Sequence, residues 1–236
     1  MLKLIHGEIY RLLHKKSIYI YFCSLAVGYF LLAFIRSGGF REGSILNDAM
    51  NFFFFLPALA GGFLFSAIYT DDLTSKNLTM LVGFGINKAK IAAAKYILML
   101  FSCIVVFGLA PVFHFAVYAA LGCTAAGALT AVYMLSLKYL LMSLAFAALS
   151  GVAVYGLQRV TFSIVLYILF AFNIIGGLLA TAITPFAPNF AAHLISGVTD
   201  RIILGGQVAP VIEYTLYTAI ALILSVAAFY KKEMEF

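Results

Sequence analysis

Apolar runs long enough to cross a bilayer recur along almost the whole chain, and little else fits between them. The runs extend from Ser17 to Ile35, Met50 to Tyr69, Ile91 to Tyr118, Ala131 to Leu157, Thr161 to Thr181 and Val211 to Tyr230. A helix of about 20 apolar residues crosses the hydrocarbon core. Lipid offers the backbone no hydrogen-bond partner, so each run is expected to be an α-helix that satisfies its own peptide groups. The expectation is an all-α membrane protein with six transmembrane helices, forming a single domain over residues 1–236. Charged residues make up only 10% of the chain and hydrophobic residues 64%. A soluble domain carries roughly 25% charged residues, so a water-soluble fold is excluded.

The segment before the first run is different. Leu2, Ile5, Ile9, Leu12 and Leu13 recur at helical spacing, with Lys3, Arg11, Lys15 and Lys16 supplying charge. Residues 1–16 therefore read as a basic amphipathic helix lying in the membrane interface, its cations against anionic lipid. The first apolar run exceeds a signal-peptide core and has no clear cleavage site, so it reads as a retained span.

Basic residues set the orientation. With the N-terminus inside, eleven basic residues fall inside: Lys3, Arg11, Lys15, Lys16, Lys76, Lys88, Lys90, Lys95, Arg159, Lys231 and Lys232. Only Arg36, Arg41 and Arg201 fall outside, and Lys138 lies within a run. Both termini are thus expected to be cytoplasmic, which favours an even number of crossings. The net charge of +6 is accounted for by this asymmetry. No basic tract with interleaved aromatics offers a surface for nucleic acid. The chain has no Trp; Tyr19, Tyr69, Tyr118, Tyr214 and Tyr230 stand near run ends as interfacial anchors.

Several residues interrupt the apolar pattern. Pro57 and Pro111 are expected to kink their helices, and Gly61-Gly62 to admit a close neighbour. Gly176-Gly177 reads as a packing site. Asn173 is expected to hydrogen-bond across helices. His114 has no His or carboxylate neighbour at i±3 or i±4, which points to a packed or hydrogen-bonded histidine and not a metal ligand. Lys138 and Glu213 lie toward the outer ends of their runs. They either pair across helices, or Lys138 snorkels to the interface while Glu213 is solvated. Cys23, Cys103 and Cys123 have no C-x-x-C spacing and read as free thiols. No metal site and no catalytic set of side chains stands out.

The link between the second and third runs carries the most information. It reads TDDLTSKNLTMLVGFGINKAK from Thr70 to Lys90. Asp71 and Asp72 suit the first turn of a short cytoplasmic helix, and Asp72 and Lys76 form an i, i+4 pair. That helix is expected over residues 71–81, with Leu73, Leu78 and Leu81 as its apolar positions. Gly83 and Gly85 end it, and Asn87 caps the next helix. A Pro-containing link over residues 182–210, with His193, Asp200 and Arg201, is expected to form short interfacial or re-entrant helices.

This order resembles the permease subunits of ABC-2 type ABC transporters. An acidic pair (Asp71-Asp72), a short helix, a basic entry (Lys88, Lys90) and Lys95 in the third span occupy the places of that family's coupling helix and its surroundings. The N-terminal helix resembles its connecting helix, and the 182–210 link its extracellular helical hairpin. The family's loop often reads Glu…Gly-Thr before the coupling helix; here Asp71-Asp72-Leu73-Thr74 lacks the Gly. The resemblance implies a permease subunit of an exporter in a bacterial plasma membrane. The short, loop-poor form suits an amphipathic or hydrophobic cargo: a peptide, drug or lipid-like molecule. Asp71, Asp72, Leu73, Lys76, Leu78 and Leu81 would couple to an ABC ATPase, and a second permease, identical or homologous, would complete the membrane unit. No G-x-x-x-x-G-K-[ST] loop is present, so ATP and Mg would be bound by the partner ATPase and no cofactor by this chain. The chain itself is not expected to be an enzyme. A secondary transporter and a non-transport assembly subunit are the alternatives.

Overall fold

A computed structural model of the chain describes residues 2–36, 44–74, 77–122, 128–191, 193–204 and 209–231. Lys76, Arg41, Glu42, Cys123 and Lys232 lie outside these residues, as do the side chains of Asp71, Asp72, Leu73 and Leu78.

The described residues form helices, with no strand among them. In chain order they are α1 (Leu2–Leu13), α2 (Lys16–Arg36), α3 (Ser44–Leu56), a π turn (Pro57–Gly61), α4 (Gly62–Thr74), α5 (Asn77–Gly83), α6 (Lys88–Ala120), α7 (Leu129–Leu157), α8 (Val160–Ala171), α9 (Ile174–Ile183), α10 (Pro188–Ala191), α11 (Ile195–Leu204) and α12 (Ala209–Lys231). Five stretches are long and apolar enough to cross a membrane: Lys16–Ile35, Asn47–Tyr69, Lys88–Ala120, Leu129–Leu157 and Pro210–Lys231. α8 and α9 pass the same test only as a pair, bent by 66°.

α7 is the centre of the bundle and packs against α12, α6, α8 and α3. Ser136, Ser143 and Ser150 recur along it every seventh residue, all buried. Their small side chains let the neighbouring helices approach. Phe53, Phe65, Phe107, Phe146, Tyr167 and Phe229 fill the core around it. α2 stands apart, with almost none of its length buried against the rest of the chain.

Both prolines inside the apolar runs have a hydroxyl from another helix beside them. Pro111 does not break α6, which runs unbroken through it. A proline lacks the N–H that would bond the carbonyl of residue i−4, here Phe107. The Ser136 hydroxyl of α7 donates to that carbonyl at 2.5 Å. Pro57 opens a π turn, and the Tyr21 hydroxyl of α2 donates to the Leu59 carbonyl within it at 2.9 Å. The link after α5 closes on Gly85, whose φ is +77°. Gly85 N–H bonds the Val82 carbonyl and Ile86 N–H the Leu81 carbonyl, a glycine-terminated helix end of Schellman type.

Two expectations change here. The run from Thr161 to Thr181 is not one continuous helix. Asn173 sits at φ +57° and turns the chain between α8 and α9. Asparagine tolerates the left-handed region better than most residues, and that local preference replaces the cross-helix bond expected of it. The helix expected over residues 71–81 is also divided. Asp71, Asp72 and Leu73 continue α4 to Thr74, because no glycine or proline stops the helix, and the short helix α5 begins only at Asn77.

The two glycine pairs differ. A Cβ on Gly61 would lie 2.2 Å from the Tyr167 hydroxyl of α8, and one on Gly62 would lie 3.5 Å from the same ring. A Cβ on Gly177 would meet nothing within 4 Å, so that position does not need glycine for packing. Gly61→Ala is expected to destabilise the protein by roughly 1–3 kcal/mol through overpacking. Because the clashing atom is the hydroxyl, with the ring carbon behind it at 3.3 Å, adding Tyr167→Phe is expected to recover most of the loss. Thermal unfolding of the two variants in detergent reads this; no recovery in the double variant would mean that the helices themselves are forced apart.

Candidate functional site at the basic face

The starts of α6 and α8 and the ends of α4, α7 and α12 gather at one end of the bundle, together with α1 and α5. This end carries Arg11, Lys88, Lys90, Arg159 and Lys231. Its organising contact begins on α1. Ile9 and Leu12 pack against the core, which turns Glu8 inward. The Glu8 carboxylate lies 2.8 Å from the Lys95 ammonium of α6 and 2.7 Å from the Arg11 guanidinium. Lys95 is only 1% exposed and Glu8 11%. The Arg11 guanidinium also donates to the Ile68 carbonyl of α4 at 3.4 Å. One carboxylate thus gathers two cations, and the amphipathic helix is tied to both membrane helices that flank α5.

α5 follows α4 and packs against it. Leu81, Val82 and Ile86 pack against the core, while Met80 and Phe84 are exposed. Leu81, an expected contact residue, is therefore an anchor. The outward apolar pair is Met80 and Phe84, which sequence reasoning did not single out. Their i, i+4 spacing is the signal that could have found them. Glu8 was missed as well; its one legible sign is that it is the only carboxylate in the amphipathic helix, three residues before Arg11.

The start of α6 is fastened to the end of α12. The Asn87 side chain accepts from the Ala89 N–H at 2.9 Å, the cap expected of it, and also bonds the Tyr230 hydroxyl. Lys88 donates to the Phe229 carbonyl at 2.9 Å, a cation on the last carbonyls of a helix.

The opposite end holds the other intramembrane polar groups. His114 is fully buried; its Nδ1 lies 2.5 Å from the Tyr29 hydroxyl of α2, and its ring lies 4.7 Å from that of Tyr118. The Tyr118 hydroxyl donates to Asp48 of α3 at 2.8 Å. Glu213 does not pair with Lys138. Its two oxygens face Arg201 at 2.6 Å and His193 at 3.3 Å, because α11 folds back onto the start of α12. The Thr199 and Tyr214 hydroxyls, 2.5 Å apart, and the Tyr217 hydroxyl bonding the His193 carbonyl hold the same hairpin. Lys138 is half-buried on α7. Among the described residues no group of three or more His, Cys, Asp or Glu could hold a metal, and Cys23 and Cys103 are free thiols.

These contacts brace α1, α4 and α6 against one another at the basic face. Removing one member of a buried ion pair costs roughly 3–5 kcal/mol, because the charge left behind is still desolvated. Glu8→Gln is expected to approach the lower end of that range, and Arg11→Gln to cost less, since Arg11 is the more exposed partner. In a double-mutant cycle Glu8→Gln and Lys95→Met are expected to be strongly non-additive in chemical unfolding; additive losses would mean that the 2.8 Å pair contributes nothing.

Comparison with family models, with curated proteins and with solved structures returns no match for this chain.

Proposed function

We propose that this chain is the membrane permease subunit of an ABC exporter, moving an amphipathic or hydrophobic cargo across a bacterial plasma membrane and powered by a separate ATPase subunit. The observation that carries the reading is the Glu8–Lys95–Arg11 knot. It couples an interfacial helix to the two membrane helices that flank α5. In this reading a push on Met80 and Phe84 passes through the Leu81, Val82 and Ile86 anchors into the core that α4 and α6 share. Rigid-body movement of helices is how such a push becomes a change of access. The partner ATPase would hold ATP and Mg, and a second permease, identical or homologous, would complete the assembly.

In this reading both termini are cytoplasmic and the chain crosses six times. Glu8 reaches the start of α6, and Lys88 of α6 reaches the end of α12. The placement of α1 and of the end of α12 at one face supports an even number of crossings, with the bent pair α8–α9 as the sixth. The basic residues of that face support a cytoplasmic side.

A second reading, a secondary transporter, draws on the helix broken at Asn173 and on the buried Tyr29–His114 and Tyr118–Asp48 contacts, since broken helices and intramembrane polar groups mark coupling-ion paths. The two readings separate in one set of measurements. The tagged chain purified from its native membrane is expected to bring with it a protein that hydrolyses ATP and carries a phosphate-binding loop. Met80→Asp with Phe84→Asp is expected to abolish that association while the chain still inserts. Cargo movement in proteoliposomes is expected to need ATP. Movement driven by a proton gradient without any ATPase would instead establish the second reading and overturn the first.

A further inference from the structure

α2 leaves a cleft between itself and the bundle. The cleft has a volume of about 490 Å³ and is walled by α1, α2, α3 and α6, with Leu12, Phe22, Ala26, Leu98, Val105 and Phe113 along its length. From Leu98 to Phe113 it follows α6 for about 22 Å at the helical rise. Its only polar lining groups are Ser102, Cys23 and Tyr19, and the Tyr19 hydroxyl is already donated to the Leu13 carbonyl at 2.7 Å. The interior therefore has almost nothing to offer a peptide backbone or a headgroup. A helix from another chain is roughly 10 Å across with its side chains and is too wide for a space of this volume and length.

Charge is confined to one end. The cleft begins at the turn between α1 and α2, where Leu12, Leu13, Ile18 and Tyr19 line its mouth. The residues between them in sequence are His14, Lys15 and Lys16, with the turn closed by the Lys15 N–H to Leu12 carbonyl and Ile18 N–H to Lys15 carbonyl bonds. Lys16 is exposed there. A long apolar slot with cations at one end matches a molecule with one anionic head and one extended hydrocarbon chain.

We propose that the cleft is a binding site for an anionic phospholipid of the basic-face leaflet, with one acyl chain in the slot and the phosphate at the Lys15–Lys16 turn. The site rests on the geometry of α1, α2 and α6 and is independent of whether the chain belongs to an exporter. The lipid fills the space that would otherwise leave α2 with little packing, and it holds α2 beside α6 at the Tyr29–His114 contact. Each lysine near the surface is expected to enrich the anionic lipid roughly fivefold.

The absence of Trp from the chain makes the test direct. Phe101→Trp places one fluorophore on the wall of the cleft, and Ile220→Trp places one on the lipid-exposed side of α12 at a comparable depth. Each single-Trp protein is reconstituted in phosphatidylcholine nanodiscs with a small fraction of phosphatidylglycerol brominated on its acyl chains. The Trp at 101 is expected to be quenched several-fold more strongly than the Trp at 220. Brominated phosphatidylcholine at the same fraction is expected to quench both alike. The excess at 101 is expected to vanish when Lys15→Glu and Lys16→Glu are added. It should also vanish with Ala26→Phe, which fills the slot without changing charge and serves if the charge variant does not insert. Equal quenching at the two positions by the anionic lipid overturns the proposal. So does an excess that survives Ala26→Phe, or one that brominated phosphatidylcholine reproduces.

Discussion

The ammonium of Lys95 sits about two turns inside α6, out of reach of solvent, and a cation there is tolerated only beside a carboxylate. That carboxylate is Glu8, on a helix that would otherwise float at the membrane surface. The pairing therefore does more than neutralise a charge. It brings α1 against α6, places Arg11 against the end of α4, and determines where the chain enters α2. The pairing thereby fixes α1 where its residues Ile9 and Leu12 wall the cleft behind α2. Its members come from distant parts of the chain, so it also makes the basic face one mechanical unit.

The same requirement, that no polar group be left alone in hydrocarbon, explains the interior. The carbonyl that Pro111 leaves is met by Ser136, and the π turn after Pro57 is met by Tyr21. At Pro111 a neighbouring hydroxyl takes the place of the missing N–H, while at Pro57 the Tyr21 hydroxyl bonds a carbonyl within the π turn that follows. Asn173 behaves differently, since its own left-handed backbone conformation redirects the chain. Only there does a long apolar run become two helices.

The two ends of the bundle are held by different contacts. The basic face is cross-braced by the Glu8 knot and by the Asn87–Tyr230 and Lys88–Phe229 contacts, yet it leaves Met80 and Phe84 uncovered. The opposite end is closed by a folded-back hairpin held through Arg201, Glu213, Thr199 and Tyr214. The proposed permease role would draw on this asymmetry, with a braced surface at one end and a separately held cover at the other. The α2 cleft adds a place where the surrounding lipid becomes part of the packing.

Much of the architecture was legible in the sequence because it depends on solvent and not on partners. The apolar runs at Lys16–Ile35, Asn47–Tyr69, Lys88–Ala120, Leu129–Leu157 and Pro210–Lys231 had to be helices, since lipid allows an isolated segment little else. The amphipathic α1, the Asn87 cap, the glycine stop after α5 and the close approach at Gly61 were legible for the same reason: each is a property of one residue and its nearest neighbours. What sequence could not supply were the pairings across space. Glu213 chose Arg201 and His193 over Lys138, Lys95 chose Glu8, and Leu81 turned inward so that Met80 and Phe84 face out. The break at Asn173 was missed for another reason: asparagine only tolerates the left-handed conformation that turns the chain there and does not demand it. Periodicity tells which face of a helix avoids water; in a membrane most faces may, and only tertiary packing decides which of them meets protein.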